Sequence, residues 1–263
     1  MDLCTVISEN FIPQAINLIQ SYRVNSYDDR IYLYHFNTPA QKLEIFKQLF
    51  SDQVTLIEIE SDCEHAFEPR VFFYKAYAIS HCLENYSECM IYSDSANCFI
   101  KNRDIKADLI DGSLFMPYND PKLVNEYWTT ARCFEKMNIP GSKLAPQYWA
   151  GFQAYERTEE NIKFVKEMLR WMEDPDVAFP DTTVRYPDGE SSKCIEHRQD
   201  QSVLSLLIHK YNKHQTFEPD RNDRYGDWQT MVDFNPRHKP NFDNTVLSPR
   251  ESKFGRFRFI RHE

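Results

Sequence analysis

The chain has 263 residues, enough for one large domain with a substantial buried core. Aromatic residues make up 14% of the chain, which excludes a disordered protein, because disordered chains are poor in aromatics. The formal net charge of −9 argues against nucleic acid as the main partner, since phosphate backbones bind to basic faces.

The first half of the chain alternates apolar runs with segments whose apolar residues follow helical spacing. The predicted strands are 2–8, 30–36, 54–60 and the run that ends before Asp94, and the predicted helices are 12–22, 39–50 and 69–85. In the second of these helices the inward residues are predicted to be Leu43, Phe46, Leu49 and Phe50. This alternation predicts an α/β fold, with a mostly parallel sheet flanked by helices.

The second half of the chain is less regular. The predicted strands are 113–118 and 148–155, the predicted helices are 121–138, 158–172 and 197–211, and 175–196 is predicted to be a loop. The last fifty residues are rich in Asp, Arg, Asn and Pro with isolated aromatics, which predicts irregular structure. We therefore divide the chain into a domain at 1–211 and a C-terminal extension at 212–263, which packs on the domain or closes over its site.

The seven cysteines are scattered and contain no C-x-x-C pair, which disfavours zinc sites and disulfide frameworks and predicts reduced thiols. The first strand begins almost at Met1, so we predict no signal peptide. No apolar run approaches the roughly 20 residues that span a bilayer, so we predict no transmembrane segment. These features together predict a cytoplasmic protein.

Residues 90–101, MIYSDSANCFIK, form the most informative stretch, because an apolar strand ends there at a single acidic residue, Asp94. Small and polar residues follow it: Ser95, Ala96 and Asn97. In open α/β sheets ligands bind outside the carboxyl ends of the strands, where an aspartate is well placed to meet a metal, a ribose or a sugar. The loop at 8–10 is predicted to lie on the same side.

Two nucleotide-binding motifs are missing from the sequence. No G-x-G-x-x-G follows the first strand, which disfavours a dinucleotide-binding domain, and no G-x-x-x-x-G-K-S/T occurs, which excludes a P-loop enzyme.

Four segments read together resemble GT-A type glycosyltransferases, nearest in pattern to the glycogenin/galactosyltransferase-like families and to capsular or lipopolysaccharide glycosyltransferase-like proteins. They are CTVISENFIPQAINLIQSYR, EPRVFFYKAYAISHCLENYSECMIYSDSA, QYWAGFQAYERTEENIKFVKEML and EHRQDQSVLSLLIHKY. The resemblance implies a GT-A (Rossmann-like) fold with a mostly parallel mixed sheet. It also implies transfer of a sugar from a UDP- or GDP-linked donor to a glycan or other acceptor, as in polysaccharide biosynthesis. A homo-oligomer is left open.

The resemblance implies that the donor binds at the first strand, at the basic helix and at the turn after the fourth strand. The implied donor-binding residues are Thr5, Ser8, Arg70, Lys75, Asp94, Ser95 and Ala96. Basic side chains would stabilise the departing diphosphate. The alternative for Arg70 and Lys75 is a pair of solvated charges, and the alternative for Asp94 is a cap in a turn.

Ala96 stands where the resembled families have the second aspartate of their D-x-D motif. The candidate ligands for Mn²⁺ or Mg²⁺ are therefore Asp94, the weaker amide oxygen of Asn97 and a distant histidine, His262. The basic residues that could take the place of the metal are Arg70, Lys75 and a histidine of the extension, His262 or His238. Metal dependence is open at this point, because basic side chains could replace the metal.

Asp200 and Gln201 resemble the D-Q segment of these families and are the implied catalytic pair. Asp200 would bind donor hydroxyls, orient the acceptor or act as a base, and its alternative role is an N-cap. The acceptor or sugar pocket is predicted from Gln147, Trp149, Gly151, His197 and Arg198. Core packing is the alternative for Trp149, and a surface position is the alternative for His197.

Two further functions are weighed against sugar transfer. The missing second aspartate favours a GT-A module that binds a nucleotide or a glycan without catalysis. A nucleotidyltransferase is disfavoured, because the first strand lacks a glycine-rich, basic loop for a triphosphate.

Overall fold

The computed structural model describes residues 1–25, 29–99, 104–118, 120–179 and 192–214. Within these residues six strands form one sheet: β1 (Asp2–Ile7), β2 (Ile31–His35), β3 (Val54–Glu58), β4 (Cys89–Ser93), β5 (Ser113–Pro117) and β6 (Tyr148–Glu156). The order is β3-β2-β1-β4-β6-β5, with β1 to β4 parallel and β6 antiparallel to both β4 and β5. The prediction of a mostly parallel mixed sheet is confirmed.

The described helices cover both faces of this sheet. They are α1 (Ile12–Val24), α2 (Ala40–Phe50), α3 (Phe73–Asn85), α4 (Asn125–Trp128), α5 (Ala131–Met137), α6 (Glu159–Glu173), α7 (Pro175–Ala178) and α8 (Gln199–Lys210). Alternate side chains of β1 enter two separate cores: Leu3 and Ile7 pack on the α1 and α2 side, and Cys4 and Val6 pack on the α3 and α6 side.

The strand order places a ligand crevice between β1 and β4. The chain passes from β1 outward to β2 and β3 and then returns to β4 on the other side of β1. At such a switch point the loops after the two central strands diverge and leave a crevice at their carboxyl ends. Asp94 directly follows β4, so it lies at this crevice.

The predicted helix at 69–85 begins four residues later than expected. Phe72 precedes α3 with a left-handed backbone (φ 61°), so the helix begins at Phe73. Arg70 therefore lies in a turn and does not share a helix with Lys75, contrary to the prediction.

Three smaller predictions were also wrong. Leu49 is 46% exposed, whereas Leu43, Phe46 and Phe50 of the same helix are buried as predicted. The predicted helix at 121–138 is divided into α4 and α5 by extended backbone at Thr129 and Thr130. The predicted loop at 175–196 begins with the short helix α7, because Asp174 caps its first turn and Pro175 fixes its first residue.

No helix in the described part of the chain is both long and apolar enough to cross a bilayer. The predicted extension at 212–263 lies outside the described residues apart from 212–214, and so do His238 and His262.

Candidate active site

Three elements bring charged side chains together at the crevice. Lys75 is in the first turn of α3, Asp94 follows β4, and Asp200 is in the first turn of α8. The Nζ of Lys75 is 2.9 Å from Oδ1 and 3.1 Å from Oδ2 of Asp94, and 3.3 Å from Oδ2 of Asp200. We call Lys75, Asp94 and Asp200 the charged trio.

The trio joins one ammonium group to two carboxylates in a largely buried place. Lys75 and Asp200 have side chains 11% and 8% exposed, whereas that of Asp94 is 31% exposed. Asp94 is therefore the member of the trio most open to a ligand. With all three groups charged, the trio has a net charge of −1, from one lysine and two aspartates.

Burial and the opposite charges act on the pKa values of the trio in different directions. Burial alone would lower the pKa of Lys75, but the Asp200 and Asp94 carboxylates outweigh it and raise that pKa, so Lys75 stays charged. Burial raises the pKa of Asp200, and the nearby Lys75 only partly offsets this effect. Asp200 is thus protonated more readily than an ordinary aspartate.

Asp200 is not the N-cap of α8. The capping position is occupied by Arg198, and no side chain caps that end of the helix. The carboxylate of Asp200 is turned toward Lys75. The structural alternative considered for this residue is therefore wrong, although its catalytic role stays a prediction.

Two aromatic side chains that were not predicted as part of the site contact the trio. The Tyr92 hydroxyl donates a 3.0 Å hydrogen bond to Oδ1 of Asp94, and the Lys75 Nζ lies 4.6 Å from the centroid of the Phe72 ring. A two-residue strand period was the signal for Tyr92, because it puts Tyr92 and Asp94 on the same side of the sheet.

Gly151 allows β6 to approach Asp94. Its carbonyl oxygen accepts a 2.9 Å hydrogen bond from the Asp94 backbone N–H. A Cβ at this position would lie 2.8 Å from Asp94 Oδ2 and 2.6 Å from Trp149 Nε1. The absence of a side chain at Gly151 therefore allows both Trp149 and Asp94 to keep their places, and the half-buried Trp149 lies beside the trio.

A second polar group lies next to the trio and contains no charge. Gln201 Nε2 donates a 2.9 Å hydrogen bond to Gln147 Oε1, and Gln147 Nε2 donates to Asn125 Oδ1 at 2.7 Å and to Thr129 Oγ1 at 3.2 Å. We call Asn125, Gln147 and Gln201 the amide relay. Asn125 was not predicted from the sequence, because a single polar residue at the start of a mixed segment does not indicate a site.

The remaining predicted donor-binding residues line the edge of the crevice or lie beneath it. Thr5 is wholly buried within β1, so its side chain does not reach the surface. Ser8 is half-buried after β1, and its carbonyl oxygen accepts from the Phe11 N–H. Ser95 is 7% exposed and Ala96 is half-buried, both in the turn after Asp94.

The described residues do not by themselves fit a metal ion. Ala96 has no side-chain donor, and the Asn97 side chain is turned inward, where its Nδ2 donates to Gly151 O at 2.9 Å and to Ser93 Oγ at 3.3 Å. Both oxygens of Asp94 are already engaged by Lys75 and Tyr92. No cluster of three or more acidic, histidine or cysteine ligands occurs among the described residues, and His262 lies outside them.

Two predicted arginines lie free of ion pairs among the described residues. Arg70 is exposed in the turn before α3, where only its backbone N–H contacts Glu68. The Arg198 guanidinium carbon lies 3.9 Å from the centroid of the Trp128 ring, at the start of α8. Both can therefore offer a positive charge to an anion.

His197 is not a surface histidine but a buried one. Its Nε2 bonds to the Val177 carbonyl oxygen at 2.9 Å, and its Nδ1 accepts from the Thr130 N–H at 3.4 Å. Burial lowers its pKa to about 4, with a smaller opposing contribution from the Val177 carbonyl. Both ring nitrogens are engaged by the backbone, so His197 anchors the segment before α8 and does not line the pocket as predicted.

The sequence matches no family model and no curated protein. The structure, however, is similar to solved glycosyltransferase structures. One is the apo form of the bifunctional glycosyltransferase WbbM, with a TM-score of 0.51 and 9% identity over 79% of this chain. Another is the galactosyltransferase LgtC in complex with donor and acceptor sugar analogs, with a TM-score of 0.51 and 12% identity over 79% of this chain.

The chain has a GT-A type glycosyltransferase fold. It covers 37% of WbbM and 70% of LgtC, so it corresponds to only part of the first protein. At these identities the similarity establishes the fold, and the chemistry has to be argued from the side chains at the crevice.

Proposed function

We propose that this chain is an enzyme that transfers a sugar from a UDP- or GDP-linked donor to a glycan or other acceptor. The observation that carries the proposal is the charged trio, which lies at the switch point of a GT-A fold and is formed by residues from three separate elements. A purely structural ion pair would not require a second carboxylate that is itself buried.

The charge of the trio suits the sugar better than the diphosphate. As the bond between the anomeric carbon of the donor sugar and the diphosphate oxygen breaks, positive charge develops on the sugar ring. Carboxylates stabilise such charge. The trio has a net charge of −1 with both carboxylates ionised and of zero with Asp200 protonated, so in either state it has no surplus positive charge for the leaving diphosphate. We therefore assign Asp94 and Asp200 to the sugar and assign Lys75 to holding both carboxylates in place.

The leaving diphosphate requires positive charge from elsewhere. Arg70 and Arg198 are the predicted basic residues that no described carboxylate neutralises. An arginine can bind a phosphate through two parallel hydrogen bonds, which suits this role. A divalent cation would supply the same stabilisation, but the described residues offer it only Asp94.

The proposal is tested by turnover of UDP-glucose, UDP-galactose, UDP-N-acetylglucosamine and GDP-mannose with the full chain. We expect hydrolysis or transfer with at least one donor, and a fall of about 100-fold or more in Asp94→Asn and Asp200→Asn. Asp176→Asn is the matched control, because Asp176 forms its ion pairs on the surface with Arg132 and Lys136. Unchanged turnover in both folded site variants would refute the assignment.

A nucleotide- or glycan-binding module without catalysis is the second candidate. Ala96 favours it, because this position lacks the carboxylate of the D-x-D motif. Calorimetric titration with UDP and GDP, with and without Mn²⁺, separates the two functions. Binding that Asp94→Asn weakens, with no turnover of any of the four donors, would establish the binding module.

A further inference from the structure

The direction of every hydrogen bond in the amide relay follows from one backbone carbonyl. Asn125 Nδ2 donates to the Ser142 carbonyl oxygen at 2.9 Å. A carbonyl oxygen only accepts, so the amide nitrogen of Asn125 must face it and the Oδ1 of Asn125 must face the other way. That oxygen then accepts from Gln147 Nε2.

The same reasoning continues from Gln147 to Gln201. Because Gln147 Nε2 donates to Asn125, Gln147 Oε1 faces Gln201. Gln201 must therefore donate to it from Nε2. The side-chain carbonyl oxygen of Gln201, Oε1, is therefore the atom left over. It has no hydrogen-bond partner among the described residues and is not one of their fully buried, unpartnered atoms, and Gln201 is 8% exposed.

Burial makes this arrangement rigid. Asn125, Gln147 and Thr129 are each 0% exposed, so water cannot replace a lost hydrogen bond in the relay. Reversing one amide would place two nitrogens or two oxygens against each other at its contacts with its neighbours, and each unsatisfied buried group costs about 1–3 kcal/mol. The relay thus has one orientation.

We propose that Asn125 and Gln147 are positioning residues, which hold the carbonyl oxygen of Gln201 toward the donor sugar as a hydrogen-bond acceptor. The inference rests on the proposed function for the identity of the ligand, and on the hydrogen bonds alone for the orientation. An acceptor fixed in this way can receive a sugar hydroxyl, whereas the amide nitrogen could not. Both residues are 0% exposed, so neither touches the sugar itself, and Gln147 does not line the sugar pocket as predicted.

The first test replaces Gln147 with glutamate. A protonated carboxyl at this position has one O–H to donate to Asn125 and one oxygen to accept from Gln201, so it reproduces the relay. An ionised carboxylate only accepts hydrogen bonds, so one of its oxygens would face Asn125 Oδ1 with no hydrogen atom between the two. We expect the kcat of Gln147→Glu, relative to the unaltered protein at the same pH, to fall at least about tenfold as pH rises.

The matched control is Gln153→Glu. Gln153 is a buried glutamine within β6, 1% exposed, whereas Gln147 directly precedes that strand, and Gln153 bonds to Ala150 and Tyr155 outside the relay. The Gln153→Glu variant also buries a carboxyl group, so its stability should change with pH. Its kcat relative to the unaltered protein should not. An equal pH-dependent loss of kcat in both folded variants, or none in Gln147→Glu, would overturn the proposal.

The second test does not require activity. In ¹⁵N-labelled protein the Gln201 side-chain amide, assigned by its loss in Gln201→Met, should exchange hydrogen slowly, and at least about tenfold faster in Gln147→Met. Equal exchange in both proteins would refute the orientation. If the four donors gave no turnover while this protection held, the proposed function would fail and the relay would stand.

Discussion

The charged trio and the amide relay are the two halves of the candidate site, and they are held by different forces. In the trio, Lys75 attracts two carboxylates over 2.9–3.3 Å, and its geometry depends on which groups are ionised. In the relay, every contact is a directional hydrogen bond between neutral groups. The trio should therefore respond to charge and pH, whereas the relay should respond to shape and hydrogen-bonding pattern.

The two halves meet on α8, where consecutive residues belong to different halves. Asp200 belongs to the trio, and Gln201 belongs to the relay. One helix end thus sets both the charge and the hydrogen-bond acceptor that the site presents. The difference between the two halves is tested most strongly by removing the Lys75 ammonium group, on which the trio depends.

Lys75→Met should have the largest effect. It leaves Asp94 and Asp200 facing each other without a counter-ion, and breaking a buried ion pair in this way destabilises a protein by about 3–5 kcal/mol. We expect turnover to fall to background as well. Urea unfolding and donor hydrolysis measure both effects. Lys166→Met is the control, since Lys166 pairs with Glu84 and is 57% exposed, and a change there as large as at Lys75 would contradict a special role for the trio.

Protonation of His197 should loosen both halves together, because this residue anchors the segment before α8. Its pKa is about 4 in the folded protein, below the ordinary 6.5, so the unfolded chain binds the proton more readily. The stability it contributes is present above pH 6.5 and is lost as pH falls toward 4, by about 3 kcal/mol. NMR titration of the His197 ring checks this, and protonation near pH 6.5 would contradict it.

Asp200→Asn should affect the trio and spare the relay. Because the pKa of Asp200 is raised in the folded state, its contribution to stability is present below the ordinary value of 3.8 and is lost as pH rises through the raised value. The variant should therefore gain stability relative to the unaltered protein across that window. Urea unfolding at several pH values measures the gain, and a difference independent of pH would argue against burial as the cause.

Gly151→Ala should have the smallest effect. The added Cβ would displace Asp94 or Trp149, which we expect to lower kcat about tenfold through Asp94 while Gln201 keeps its place. Steady-state kinetics, together with the slow exchange of the Gln201 amide, distinguish the two halves. Faster exchange in this variant would show that the halves are not independent.

The elements with a clear period could be predicted from the sequence. The strands and helices up to Asp94 follow the observed order, because each has an apolar face at a regular spacing. The errors occurred where backbone conformation overrides pattern. Left-handed Phe72 delays α3 and removes Arg70 from it, and extended Thr129 and Thr130 divide a predicted helix in two.

The site was predictable only in part. Asp94 is visible as an acidic residue at a strand end, and Asp200 as one at a helix start. The pairing of both aspartates with Lys75 is not visible, because Lys75 lies 19 residues before Asp94 and 125 before Asp200. Asn125 left no usable signal, since a hydrogen-bond direction set by the Ser142 carbonyl exists only in three dimensions.

The central claim is that a nucleotide sugar binds with its sugar against the charged trio. A crystal structure of the full chain with the UDP- or GDP-sugar that it turns over tests this most directly. The account predicts sugar hydroxyls within hydrogen-bonding distance of Asp94 or Asp200, with the diphosphate away from both carboxylates. A diphosphate bound directly to the Lys75 ammonium, with the sugar elsewhere, would contradict it.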